Sequence, residues 1–317
     1  WLKCTIPRLL SHLTHSKMAT ELAGDRSSRE ASGGSSAGIA AAVAPDETAY
    51  DLLRALRSCR STGLPCVDAH LPGGLGPSEL VVLHGEAGSA KSALLHNIIV
   101  EYVAPPALGG HGLPAILIDA DGAFDVGRLA ALLEARAARR APQDAFPSER
   151  MAQLVKEALS RLLVLCPDEP LDLLGHLRQV REVLGANPAA SLLAVDAMTA
   201  WQPLSAAFSR AVAPVLRECW AALARLQREL CVAVLVVQRD LGVDGLGGSA
   251  YAGAEGVANA CRLSVMRRAA GAPGPEGPRG EAGREVFLVS SRARGPEAPV
   301  PAAFAFSEAG EVVTVQC

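Results

Sequence analysis

Aromatic residues are scarce in this chain: six Phe, three Trp and three Tyr make up 4% of its 317 residues, and no Phe occurs before Phe124. So few rings leave little for a nucleic-acid platform built on base stacking. Positive charge is not in excess either. Lys and Arg number 30 against 33 Asp and Glu, a net charge of −3, which excludes a protein that coats duplex DNA through a uniformly basic surface. Eight cysteines are present, but no two are spaced C-x-x-C, so there is no zinc or dithiol signature. Several sit in apolar runs such as ELCVAVLVV and read as reduced thiols of an intracellular protein. No apolar run approaches the ~20 residues of a membrane helix. The opening WLKCTIPRLLSHLTHSK is basic but lacks the apolar stretch of a secretory signal. Met18 opens MATELAGDR and is a candidate initiator, which would put residues 1–17 upstream of the start.

What is present is enough chain for a sizeable core, with half the residues apolar. Residues 1–45 read as a disordered tail, because 18–45 are rich in Gly, Ser and Ala without an apolar period. Residues 46–75 read as a short helix and a linker: DETAYDLLRALRSC groups Tyr50, Leu52, Leu53 and Leu56 near one face, and a Gly/Pro-rich stretch follows. From residue 76 to 317 apolar strands alternate with amphipathic helices. ELVVLHG, PAILIDAD, LLVLCP, SLLAVDA and CVAVLVVQ are strands; KSALLHNIIVEYVA, DVGRLAALLEARAARR, SERMAQLVKEALSRL, LDLLGHLRQVREVLG and the 205–230 stretch are helices. Continuous apolar strands separated by helices predict an α/β domain with a mostly parallel central sheet covered on both faces. ACRLSVMRR, REVFLVSSR and AAFAFSEAGEVVTVQ follow without helices and predict an antiparallel C-terminal extension. Residues 269–283 read as a flexible hairpin insertion.

The chemistry concentrates in GEAGSAKS, residues 85–92. It follows a strand and opens a helix, the context in which G-x-x-x-x-G-K-[ST] cradles phosphates on backbone N–H groups. Gly85, Glu86, Ala87, Gly88, Ser89, Ala90, Lys91 and Ser92 are the candidate nucleotide-binding residues. Lys91 is placed to contact the β- and γ-phosphates of ATP, and Ser92 to ligate Mg²⁺. Ala90 stands where the pattern has its second glycine. If that position needs positive φ, alanine costs on the order of 1–2 kcal/mol; if φ is helical it costs nothing. Minichromosome-maintenance helicases carry a similar loop with alanine before the lysine. Asp196 ends the apolar strand SLLAVD and is the candidate second Mg²⁺ residue, acting through water. Ala197 follows it where AAA+ ATPases place a catalytic Glu, which counts against that class.

A different architecture sets the water-orienting carboxylate on the neighbouring strand. ILIDADGAFDVGRL resembles the strand end I-D-T-E-x-x-F of the RecA-type recombinases, with Asp119, Ala120, Asp121 and Phe124 at the matching positions. The resemblance makes Asp121 the catalytic residue, one methylene shorter than the usual Glu. It makes Gln238, at the end of VAVLVVQ, the counterpart of the sensor glutamine that links the γ-phosphate to a DNA-binding loop. Five collinear segments across residues 46–317 are similar to the eukaryotic recombinase paralogues of this family, including ELVVLHGEAGSAKSALL, RLLVLCPDEPLDLLGHL and the C-terminal SEAGEVVTVQC. Three features depart from the family pattern: Ala90, the 269–283 insertion, and the missing F-x-x-A stitch by which recombinases polymerise. No helix-hairpin-helix domain is visible in the N-terminal sequence, and assembly into a long filament is not expected.

The resemblance implies a RecA-like fold and a nuclear DNA-repair role. It implies an ATP-binding subunit of a heteromeric complex with other recombinase paralogues, acting on single-stranded or branched DNA in homologous-recombination repair of double-strand breaks. Hydrolysis is expected to be weak at most, with no membrane involved. It places DNA against the loops after Asp196 (AMTAWQPLS) and after Gln238 (RDLGVDGLGGSAYAGAEGVAN), the second holding only Arg239 and Tyr251 as basic and aromatic groups. Arg262, Arg267, Arg268, Arg284, Arg292 and Arg294 form either a basic edge or an ordinary solvated one. Two other readings of the loop remain: a self-sufficient P-loop motor or helicase, and a P-loop kinase or signalling ATPase.

Overall fold

Two alternating sets of side chains organise the core, as the twofold period of a strand requires. In the strand β1 (Leu80–Gly85), Val81 and Leu83 face one apolar layer while Leu80 and Val82 face the other. The same division recurs in β4 (Leu192–Asp196), where Leu192 and Ala194 oppose Leu193 and Val195. Both faces of these strands are therefore buried, which is why they read as unbroken apolar runs.

The computed structural model describes residues 58–71, 73–77, 79–140, 148–186, 191–201, 206–239, 260–268, 285–291 and 301–315. The expected tail (1–45), most of the 46–59 helix, the loop after Arg239 and the 269–283 insertion lie outside the described residues.

The remaining strands are β2 (Ala115–Asp119), β3 (Leu162–Leu165), β5 (Ala233–Arg239), β6 (Ala260–Arg267), β7 (Phe287–Ser291), β8 (Ala302–Phe306) and β9 (Val312–Val315). They form one sheet in the order β3-β2-β4-β5-β1-β6-β7-β8-β9. β3 through β6 in that order are parallel, and β7, β8 and β9 continue antiparallel. The α/β class and the antiparallel C-terminal extension are as expected. One detail differs: β6, grouped by sequence with the extension, joins β1 in parallel. The reversal comes one strand later.

The helices are α1 (Pro65–Asp68), α2 (Lys91–Val103), α3 (Val126–Arg140), α4 (Ser148–Leu159), α5 (Pro170–Ala186) and α6 (Ala206–Leu230). None of the described helices is long and apolar enough to cross a membrane. One layer of the core contains residues of α2, α3 and α4, and the other contains residues of α5 and α6. α2 is buried around nearly its whole circumference, from Leu94 and Leu95 to Tyr102 and Val103. Such a helix is held by its surroundings rather than by one apolar stripe. Arg136 of α3 fastens it: the guanidinium pairs with Glu101 at 2.6 Å and donates to the carbonyls of Leu108 and Gly109 at 2.8 Å each. Asn97 of α2 donates to the carbonyl of Gly310 and accepts from the N–H of Val312, both at 3.3 Å, so the β8–β9 hairpin docks on the same helix.

The stretch read as linker is packed where it is described. Arg60 and Leu75 exchange backbone hydrogen bonds of 2.8 and 2.7 Å, closing a loop around α1. Leu64, Cys66, Val67, Leu71 and Leu75 are buried in the α2 layer. The Asp68 carboxylate accepts from Ser61 Oγ, Thr62 Oγ1 and Thr62 N–H at 2.6 to 2.9 Å and fixes the entry to α1.

Candidate nucleotide site

The loop joining β1 to α2 is shaped by close approach. A Cβ on Gly85 would lie 2.1 Å from the carbonyl oxygen of Val265 in β6, so only glycine fits beside that strand. Ala90, the last residue before α2, has φ 69° and ψ 16°. It occupies the left-handed conformation of the missing glycine, and it carries the cost of a side chain there, on the order of 1–2 kcal/mol. Lys91 is buried, and its ammonium turns back into the loop. It donates to the carbonyls of Gly85 (2.9 Å) and Glu86 (2.6 Å) and to Ser89 Oγ (3.0 Å). These bonds close the loop on its own lysine, satisfying a charge that burial would otherwise penalise. Glu86, Ala87 and Gly88 form the exposed rim.

The Ser92 hydroxyl, in the first turn of α2, lies close enough to the Asp196 carboxylate at the end of β4 to favour its charged form. Two residues over a hundred positions apart thus meet at one point. Asp196 is 6% exposed, and its Oδ1 has no hydrogen-bond partner. Burial pushes its carboxyl up to about 6, and the nearby Asp121 and Asp119 carboxylates push the same way; the Ser92 hydroxyl and the Lys91 charge oppose them. A buried carboxylate oxygen without a partner, next to a serine hydroxyl, suits a hard divalent cation with oxygen ligands.

β5 separates β1 from β4, and β2 flanks β4 on its other side. The exit of β2 is tied to the end of β4: the N–H groups of Ala120 and Asp121 donate to the Asp196 carbonyl at 2.6 and 3.2 Å. Asp119 is buried and accepts from the N–H groups of Ala123 and Phe124 at 3.2 and 3.0 Å, which shapes the turn. Asp121 stands outside that turn, its Oδ2 3.3 Å from Arg239 Nη2. Gln238 is half-buried opposite His84 in the β1–β5 register, and Arg239 opposite Gly85. The N–H of Arg239 donates to the buried Thr199 Oγ1 at 2.9 Å.

Lys91, Ser92 and Asp196 therefore converge, with Asp121 and Gln238 at neighbouring strand ends. Sequence reasoning missed Thr199 and the ion-pair role of Arg239, which it counted only as a basic loop residue. The candidate DNA surfaces are described in part. Trp201, in the first loop, donates to the Asp168 carbonyl at 3.1 Å. Arg267 pairs with Glu285, so one cation of the proposed basic edge is neutralised. Tyr251, Arg284, Arg292 and Arg294 lie outside the described residues.

No protein-family model matches the chain. Among curated proteins it is similar to mouse XRCC2, a DNA repair protein, with 26% identity over 123 residues, 39% of this chain and 41% of that one. It is also similar to the DNA repair and recombination protein RadA of Metallosphaera sedula, with 24% identity over 139 residues, 44% of this chain and 38% of RadA. This weak homology supports a RecA-family recombinase paralogue related to XRCC2. The match spans about two fifths of the length of each relative. A RecA-like domain accounts for the mostly parallel sheet with its antiparallel strands at the C-terminal end.

Proposed function

We propose that this recombinase paralogue binds ATP and Mg²⁺ on residues 85–92 and Asp196. In this reading it serves in the nucleus as a subunit of a heteromeric paralogue complex supporting homologous-recombination repair of double-strand breaks. Its partners are other recombinase paralogues and, through the complex, single-stranded or branched DNA. One observation carries the nucleotide reading: the Ser92 hydroxyl meets the buried Asp196 carboxylate beside Lys91, and one oxygen of that carboxylate lacks a partner.

In this site the loop N–H groups and Lys91 bind phosphate oxygens once Lys91 leaves its carbonyls. Ser92 and Asp196 hold Mg²⁺, which when bound neutralises charge on the β- and γ-phosphates. Asp121 orients the attacking water. The water oxygen forms a bond to the γ-phosphorus while the bond from that phosphorus to the β–γ bridging oxygen breaks. ADP leaves with the electron pair, and the water proton passes to the Asp121 carboxylate. In this reading Gln238 is the sensor of the γ-phosphate. Asp121 is short and exposed, so binding dominates and turnover is slow.

Thermal stabilisation by ATP–Mg²⁺ tests this reading. At ligand 100-fold over its dissociation constant the expected gain is about 2.7 kcal/mol. Lys91→Ala should abolish it. A wild-type protein that millimolar ATP does not stabilise would make the loop a structural relic.

A further inference from the structure

Asp121 and Arg239 come from strands on opposite sides of β4, 118 residues apart in sequence, and join across its end. The backbone under each is pinned without the ion pair. The Asp121 N–H donates to the Asp196 carbonyl at 3.2 Å, and the Arg239 N–H to Thr199 Oγ1 at 2.9 Å. The pair is thus a side-chain bridge across the end of β4, and either side chain can be changed without loosening the chain that carries it. It has a consequence for chemistry. The guanidinium occupies one of the two carboxylate oxygens and holds the side chain in one direction. An aspartate has few rotamers with which to reach water from a tethered position, and misplacing a reacting group by about 1 Å costs on the order of 100-fold in rate.

We propose that Arg239 is a latch on Asp121: the ion pair holds the carboxylate across the end of β4, and hydrolysis requires the pair to open. The proposal rests on the reading of Asp121 as the water-orienting residue. The Arg239 side chain is 45% exposed and that of Asp121 20%, so solvent and salt reach the pair. A contact of this exposure is weak, and its opening should change the rate by about three- to fivefold rather than by orders of magnitude.

The test uses the full chain at saturating ATP–Mg²⁺ and compares wild type, Arg239→Gln, Asp121→Asn and the double variant. Phosphate release is followed at rising ionic strength, with ATP-induced thermal stabilisation measured alongside. Arg239→Gln should raise the rate about three- to fivefold while keeping the ATP-induced shift. The wild-type rate should climb with salt toward that of the variant, whose own rate stays flat. In the Asp121→Asn background Arg239→Gln should change nothing. The latch is overturned by an unchanged rate in Arg239→Gln, by an equal salt response in both proteins, or by the same gain without Asp121. A fall in rate would also overturn it, making Arg239 a phosphate contact. In each of these cases an intact ATP-induced shift leaves the nucleotide site standing. If wild type shows no shift at all, both readings fall together.

Discussion

The two walls of the candidate site are held by different means. The side formed by β1 and α2 is buried and internally cross-linked: Lys91 is anchored to three loop oxygens, and the Ser92 hydroxyl lies beside Asp196. The wall formed by the exits of β2 and β5 is more open. Its carboxylate, Asp121, is tied by one 3.3 Å ion pair to a half-exposed arginine. Buried hydrogen bonds to charged groups are costly to lose, whereas exposed ion pairs contribute little. The residues proposed to hold phosphate are therefore far better fixed than the carboxylate proposed to orient water. A sequence can drift on the second side and keep the first, which is what the proposed function, nucleotide binding with slow turnover, requires.

One ring contact spans both walls, and breaking it should have the largest effect. His96 of α2 meets Phe124, beyond the β2 exit, edge to face with centroids 5.6 Å apart. Burial lowers the His96 imidazole to about 4, with the Arg128 charge adding to that and the Asp119 and Asp125 carboxylates opposing it. The folded value lies below the unfolded one of about 6.5. The unfolded chain therefore takes up the proton first. Stability from this group is complete above pH ~6.5 and falls as the pH drops toward 4, by about 3 kcal/mol. Unfolding free energies from urea titrations at pH 7 and pH 4 should diverge less in His96→Met than in wild type by roughly that amount. Identical pH slopes would show that the acid sensitivity resides elsewhere.

The contrast between the walls was only partly legible in the sequence. Strand and helix positions were, because buried parallel strands leave long apolar runs that few loops imitate. The meeting of Lys91, Ser92 and Asp196 was legible as an expectation, the first two from the G-x-x-x-x-G-K-[ST] spacing and the third because it ends an apolar strand. The left-handed backbone at Ala90 was legible only as an alternative, since alanine itself does not report φ. The Arg239–Asp121 pair left no signal: nothing in local composition links residues 118 positions apart. The direction of β6 was missed because a half-buried strand has the same pattern in either orientation. The packed 58–75 stretch was missed because its glycines and prolines outweighed the apolar Cys66, Val67, Leu71 and Leu75.

The open wall is sharpened by changing the reach of its carboxylate. Asp121→Glu restores the usual side-chain length and should raise phosphate release, while Asp121→Asn should lower it, because an amide cannot accept the water's proton. An effect of about tenfold corresponds to ~1.4 kcal/mol in the barrier. The rates should be read for the chain alone and with a co-purified paralogue. Three equal rates in both settings would reduce Asp121 to a strand-end residue and the protein to an ATP-binding scaffold.

The smallest expected effect tests whether the buried wall is itself strained. Ala90 has φ 69°, a conformation that a Cβ disfavours by about 1–2 kcal/mol. Glycine removes that penalty but loses more backbone freedom on folding, roughly 0.5–1 kcal/mol. The two terms leave a net gain of about 0.5–1 kcal/mol for Ala90→Gly. It should appear as a higher urea midpoint at unchanged slope, so that the shift is a change in stability and not in the surface exposed. The same comparison with ATP–Mg²⁺ present separates two states of the loop. An equal gain means that φ at position 90 stays left-handed when phosphate is bound. A gain confined to the free protein means that binding moves the residue to a helical φ, where alanine is the better choice, and that the closed loop around Lys91 is the strained form. No gain in either condition would show that the backbone at position 90 is not strained, and that the missing glycine costs this wall nothing.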